Sequence, residues 1–193
     1  MDECKPLVRG DVAVVALLLA APGVDVNKAN PMGAAIEFGL ADVVELLVAA
    51  PGCDVNKCDI SKSDSGAGSL PLWVAAGKGH ADVVAALLAA PGVDVNMVDP
   101  VHGSTALWKA VERGGDTRVL ELLLAAQGVD VNKVDTIYDV TPLWKAVERG
   151  DVPVVELLLA APGVDVNRGL RGPKRVRSFR DETSATAAAT AGR

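Results

Sequence analysis

Histidine is nearly missing from this chain: His80 and His102 are the two in 193 residues. Proton-transfer chemistry near neutral pH draws on convergent titrating groups, and two isolated imidazoles, one in a repeated turn and one in a loop, give no basis for a catalytic constellation. Cysteine is scarce too. Cys4, Cys53 and Cys58 are odd in number and have no framework spacing, which excludes a disulfide-stapled scaffold and fits a reducing compartment, cytoplasmic with the nucleus as a second location. Cys53-x4-Cys58 lacks the second ligand pair of a structural zinc site, so no metal is expected. Aromatics make up 3% of the chain while hydrophobic residues make up 50%, so Ala, Val and Leu must carry the packing. No apolar run approaches the roughly 18 residues of a membrane span, and Met1 to Lys5 has no basic-then-apolar leader. Gly66-Ala67-Gly68 is not followed by the Gly-Lys-Ser/Thr of a phosphate loop, and no cofactor is expected.

Repetition is what the chain has instead. Pro-Gly-Val-Asp-Val-Asn occurs at 22–27, 91–96 and 162–167, with near-copies at 51–56 and 127–132. The closing asparagines, Asn27, Asn56, Asn96, Asn132 and Asn167, are 29, 40, 36 and 35 residues apart, the period of a stacked solenoid. From the preceding glycine (Gly10, Gly39, Gly79, Gly115, Gly150) to each asparagine the interval is 17 residues every time. From the asparagines forward to the next glycine it varies: 12, 23, 19 and 18. Length variation therefore collects at one loop per unit, on one face of the stack.

The last unit shows how each is built. Thr141 is placed to cap a helix whose first position is Pro142, and Gly150 can end it in a left-handed conformation. A second helix starts at the N-cap Asp151 and runs until Pro162-Gly163 stop it. An extended Val-Asp-Val-Asn then leads into the variable loop.

Thr141-Pro142-Leu143-Trp144, then Gly150, then Val154-Val155-Glu156-Leu157-Leu158-Leu159, then Gly163-Val164-Asp165-Val166-Asn167 resembles the ankyrin repeat. Thr105-Ala106-Leu107-Trp108, Leu70-Pro71-Leu72-Trp73 and Asn30-Pro31-Met32-Gly33 are progressively weaker copies of the opening. The resemblance spans residues 1–167 in about five units, the first truncated, and leaves 168–193 as a basic, then Ala/Thr-rich tail. It implies an all-α solenoid of helix-turn-helix units with short β-hairpin fingers. It also implies a non-catalytic module that binds another protein through its fingers and its concave first-helix face. Trp73, Trp108 and Trp144 depart from the family, standing where it usually has a histidine that bridges backbone groups. Lys57 to Ser69, polar and glycine-rich, makes the longest finger.

The unit Trp-Lys-Ala-Val-Glu-Arg-Gly recurs at 108–114 and 144–150, aligning Lys109, Glu112 and Arg113 with Lys145, Glu148 and Arg149. These residues, with Trp73, Lys78, Trp108 and Trp144, and with Glu37 and Phe38 toward the N-terminus, form the expected partner-binding surface; the alternatives are a solvated polar face and tryptophans used for packing between units. The Asp/Asn pairs of the repeated string lie a unit apart, too far to share an ion, and their side chains are expected to bond local backbone.

The formal net charge of −6 divides unevenly. Residues 168–193 hold seven Lys/Arg against two Asp/Glu, a surplus of +5, while the preceding 167 residues hold twelve against twenty-three, or −11. An acidic body disfavours nucleic acid. Val152, Val155, Leu158 and Leu159 keep the last second helix apolar, so its outer face must be covered by the tail, by a partner or by end-to-end contact with further repeats. The protein partner is unidentified and no membrane contact is expected. Two other functions remain open: a fragment of a longer structural solenoid, and a regulatory domain of an enzyme whose catalytic part lies elsewhere.

Overall fold

Short helices that alternate with tight turns follow directly from the capping residues. A computed structural model describes residues 12–19, 21, 30–57, 70–100, 102–114 and 116–168. The described helices are α1 (Val12–Leu19), α2 (Pro31–Glu37), α3 (Ala41–Ala49), α4 (Pro71–Lys78), α5 (Ala81–Ala89), α6 (Ala106–Glu112), α7 (Thr117–Ala125), α8 (Pro142–Arg149) and α9 (Val152–Ala160). Among the described residues there is no strand; the described fingers are turns.

Thr141 Oγ1 accepts from the Trp144 N–H at 3.2 Å and Thr105 Oγ1 accepts from the Trp108 N–H at 3.3 Å, so both openings are capped as the Thr-x-Leu-Trp pattern predicts. Asn30 does the same for α2 from a left-handed backbone, φ 54°, accepting from the Gly33 N–H at 3.0 Å. The second helices α3, α5, α7 and α9 then end at an extended alanine, Ala50, Ala90, Ala126 and Ala161, just before Pro-Gly or Gln-Gly.

The constant 17-residue half needs one correction. Gly39, Gly79 and Gly150 are left-handed, eight residues after the first position of their helices, but the left-handed residue that ends α6 is Gly114, φ 76°. Gly115, which keeps the 17-residue interval, is therefore not the helix-ending glycine, and it lies outside the described residues, as do Gly10 and most of the 57–69 finger.

First helices stack on first helices (α2, α4, α6, α8) and second on second (α1, α3, α5, α7, α9), with each pair also packed together. The core is a continuous stripe along this stack. Val44, Val84 and Leu120 are fully buried at one position of the second helices, and Leu47, Leu87, Leu123 and Leu158 are buried at another. Each such leucine contributes about 1.5–3 kcal/mol by leaving water, which offsets the weakness of eight- and nine-residue helices on their own. Small alanines at Ala75, Ala110 and Ala146 let first helices approach.

Candidate partner-binding face

The three tryptophans do not share one environment. Trp73 and Trp108 are buried, while Trp144 is half-buried. Trp73 donates from Nε1 to Ser104 Oγ at 3.0 Å and stacks on the His102 ring, centroids 4.6 Å apart. Trp108 Nε1 is buried with no hydrogen-bond partner. Lys109 places its ammonium 4.5 Å from the Trp73 ring centroid, and Lys145 sits 5.8 Å from that of Trp108, so each lysine reaches back over the tryptophan of the preceding unit.

The charged rows are built largely from contacts within the stack. Lys109 pairs with Glu112 at 2.6 Å and Lys145 with Glu148 at 2.8 Å, both one helical turn apart. Both lysine side chains are mostly covered, 17% and 21% exposed, because they lie along indole rings. Arg113 donates to the Gly77 carbonyl at 3.3 Å, and Arg149 to the Glu112 carbonyl at 2.8 Å. Each arginine thereby satisfies a carbonyl near the C-terminus of the preceding first helix, where a cation also meets the negative end of the dipole. Lys78 reaches Glu37 at 2.6 Å, linking α4 to α2 across the surface. Phe38 is 53% exposed at the end of α2. What this face presents to solvent is therefore Glu37, Phe38, Lys78, Glu112, Arg113, Glu148 and Arg149, with Trp73 and Trp108 beneath it.

The fingers contain residues that the sequence reading passed over. Asp99 and Asp135 are buried. Asp99 Oδ1 accepts from the backbone N–H of His102 and from its ring Nδ1–H, each at 2.8 Å. Asp135 accepts from three backbone N–H groups, those of Ile137 (3.1 Å), Tyr138 (2.7 Å) and Val140 (3.0 Å). A signal was present: an aspartate three residues after the closing asparagine recurs in Asn96-Met97-Val98-Asp99 and Asn132-Lys133-Val134-Asp135. The two fingers also touch, as Thr136 donates its N–H to the Gly103 carbonyl at 2.8 Å. Gly103 has φ 62°, and a Cβ there would collide with Thr136. Ile137 and Tyr138 are left 53% and 46% exposed.

The Asp/Asn strings behave half as expected. The aspartates act locally: Asp54, Asp94, Asp130 and Asp165 each accept from the asparagine N–H two residues on, at 2.9–3.1 Å. The asparagine side chains instead reach the next unit. Asn56 donates to the Gly92 carbonyl and accepts from the Asp94 N–H, Asn96 does so with Gly128 and Asp130, and Asn132 with Gly163 and Asp165, all at 2.7–2.9 Å.

The family profile of ankyrin repeats, in three copies, matches residues 72–169. The chain belongs to the ankyrin repeat family. Such repeats serve generally as protein–protein interaction modules. Among solved structures, the ankyrin repeat domain of Bcl-3, described as a unique member of the IkappaB protein family, is similar over 84% of this chain and 71% of its own. The identity is 28% and the TM-score 0.71. No curated protein matches by sequence. The second helices of the stack bury their valines and leucines inward and also carry exposed charges, Asp42, Glu45, Asp82, Arg118, Glu121 and Glu156, with Arg118 paired to Asp82 at 2.9 Å. Among the described residues no helix is long and apolar enough to cross a membrane, and no group of three or more His, Cys, Asp or Glu could hold a metal ion.

Proposed function

We propose that the protein is a non-catalytic binding module that recognises a partner protein through its first helices and finger tips. The observation carrying this reading is the coexistence, on neighbouring surfaces, of charged side chains in register and exposed apolar ones. Lys78, Glu112, Arg113, Glu148 and Arg149 give a charge pattern that selects and orients a partner. Phe38, Ile137 and Tyr138, each about half exposed, supply area that a partner can desolvate. Trp73 and Trp108 form the floor under this pattern and hold its lysines in place, and half-buried Trp144 adds an edge that a ligand can cover. The array takes in residues 1–167, the tail 168–193. Free Cys53 fits a reducing cytoplasmic or nuclear setting.

The test is affinity capture with the full chain, then two variants measured against the captured partner. One reverses Arg113, Arg149 and Lys78 to glutamate; the other replaces Ile137 and Tyr138 by serine. Loss of affinity by tenfold or more, about 1.4 kcal/mol, with an unchanged circular dichroism spectrum is expected for at least one. If both variants fold and both bind as the parent does, recognition lies elsewhere.

A further inference from the structure

One edge of the stack stands out. At two positions the interior units bury an apolar residue whose equivalent at the C-terminal edge is open, and at a third the edge residue is half-buried. Ile36, Ala76 and Val111 are at most 1% exposed, but Val147 is 51% exposed; Val55, Val95 and Val131 are at most 8% exposed, but Val166 is 50% exposed. Val155 is half-buried where Val44, Val84 and Leu120 are fully buried. Val152 and Leu159, 62% and 47% exposed, complete the patch. Among the described residues the Asn167 side chain has no counterpart of Gly163 and Asp165 to bond, although its N–H is held by Asp165 at 2.9 Å as in the other described units. Apolar patches of this kind are covered in stable solenoids.

We propose that residues 169–180 of this chain occupy that edge, with Leu170, Val176 and Phe179 set against Val147, Val152, Val155 and Leu159. Three observations favour this occupant. The chain leaves the stack at the edge itself, since Arg168 donates its N–H to the Asp165 carbonyl, so the segment is tethered beside its site at a high effective concentration. Its charge is complementary. The segment carries Arg171, Lys174, Arg175, Arg177 and Arg180, and the edge carries exposed Glu156 and Asp165 together with Asp151, none of which forms an ion pair among the described residues. The basic groups of α8 are already committed, Lys145 to Glu148 and Arg149 to the Glu112 carbonyl. Its length suffices, because twelve residues reach about 40 Å when extended, against about 14 Å for a nine-residue helix. A second copy of the chain would instead bring its acidic body, −11 over residues 1–167, against the same acidic edge, which like-charge repulsion opposes.

Hydrogen–deuterium exchange on the full chain tests this, since tail variants leave residues 1–168 untouched. Peptides covering 141–167 should exchange about threefold or more faster in a Lys174→Glu/Arg175→Glu/Arg177→Glu variant. They should do the same in a Val176→Ser/Phe179→Ser variant, while peptides covering α4 to α7 stay as they are. High salt should reproduce the first change in the parent. Identical exchange in the parent and both variants overturns the proposal. So does protection of 141–167 that rises with protein concentration, alongside a rising mass in sedimentation equilibrium, because the occupant is then a second copy.

Discussion

Asn96 donates from Nδ2 to the carbonyl of Gly128, in the following unit, at 2.7 Å. Its Oδ1 meanwhile accepts from the Asp130 N–H at 2.7 Å, so one side chain closes a two-bond bridge between adjacent units. Asn56 and Asn132 repeat it, so three such bridges tie successive units through their backbones.

Replacing Asn96 by alanine removes two bonds at a half-buried site where water can only partly substitute. The expected loss is about 1–2 kcal/mol by chemical denaturation. Asn167→Ala removes no bridge to a further unit and should stay within about 0.5 kcal/mol of the parent. Equal effects at the two positions would mean that the bridges do not stabilise the stack.

Asp135 organises a whole finger, because a buried carboxylate accepting three backbone N–H groups replaces the ladder that a longer hairpin would supply. Asp135→Ala leaves those donors facing an apolar hole and should cost about 3 kcal/mol. Asp135→Asn retains one acceptor oxygen and should fall between. Amide exchange at Tyr138 and Val140 should accelerate in both, and a finger that stays protected in Asp135→Ala would contradict this.

Helix placement was legible because capping is chemically local: Thr105, Thr141, Pro142, Gly150 and Asp151 act within three or four residues of where they stand. The position of Gly114 was not, since Gly114 and Gly115 are adjacent glycines and only the helix length from Ala106 decides which one turns left-handed. The asparagine bridges are not legible in the sequence for a different reason. The sequence shows a side chain able to bond a nearby backbone, and it takes the stacking distance between units to show that the next unit's backbone is nearer. The charge rows were legible as rows, but that Lys109 and Lys145 lie along indole rings depends on where the preceding tryptophan's face points. Arg113 and Arg149 likewise reach back to carbonyls no side-chain pattern reveals.

Cys53 stands where Val93, Val129 and Val164 stand in other units, partly covered by the core. Burial, with the Asp54 charge beside it, pushes its thiol above the ordinary value of 9.0. Iodoacetamide should therefore label Cys53 more slowly in the native than in the denatured chain at pH 8, as read by peptide mass spectrometry. The sign for stability follows from the same shift: the group's contribution is intact below the unfolded thiol pKa and is lost as pH rises through the higher folded one. Native labelling as fast as denatured labelling would show that the site is open.

Trp73 and Trp108 occupy the same place in successive units, yet only the first has an indole partner. Ser104 supplies it, and the matching finger bonds, Asp99 N–H to the Ser104 carbonyl and Asp135 N–H to the Val140 carbonyl, identify Val140 as the counterpart of Ser104. Val140 is 3% exposed and has no hydroxyl to offer, so Trp108 Nε1 stays buried without an acceptor, a cost of about 1–3 kcal/mol. Val140→Thr keeps the side chain's volume and adds the oxygen. Although burying a threonine hydroxyl in place of a methyl normally destabilises, here it should raise stability by about 1 kcal/mol. In a Trp108→Phe background the donor is gone and the same substitution should instead lower stability by about 1–2 kcal/mol. Chemical denaturation of the four proteins forms a double-mutant cycle, and a coupling energy near zero would show that residue 140 does not reach the indole nitrogen.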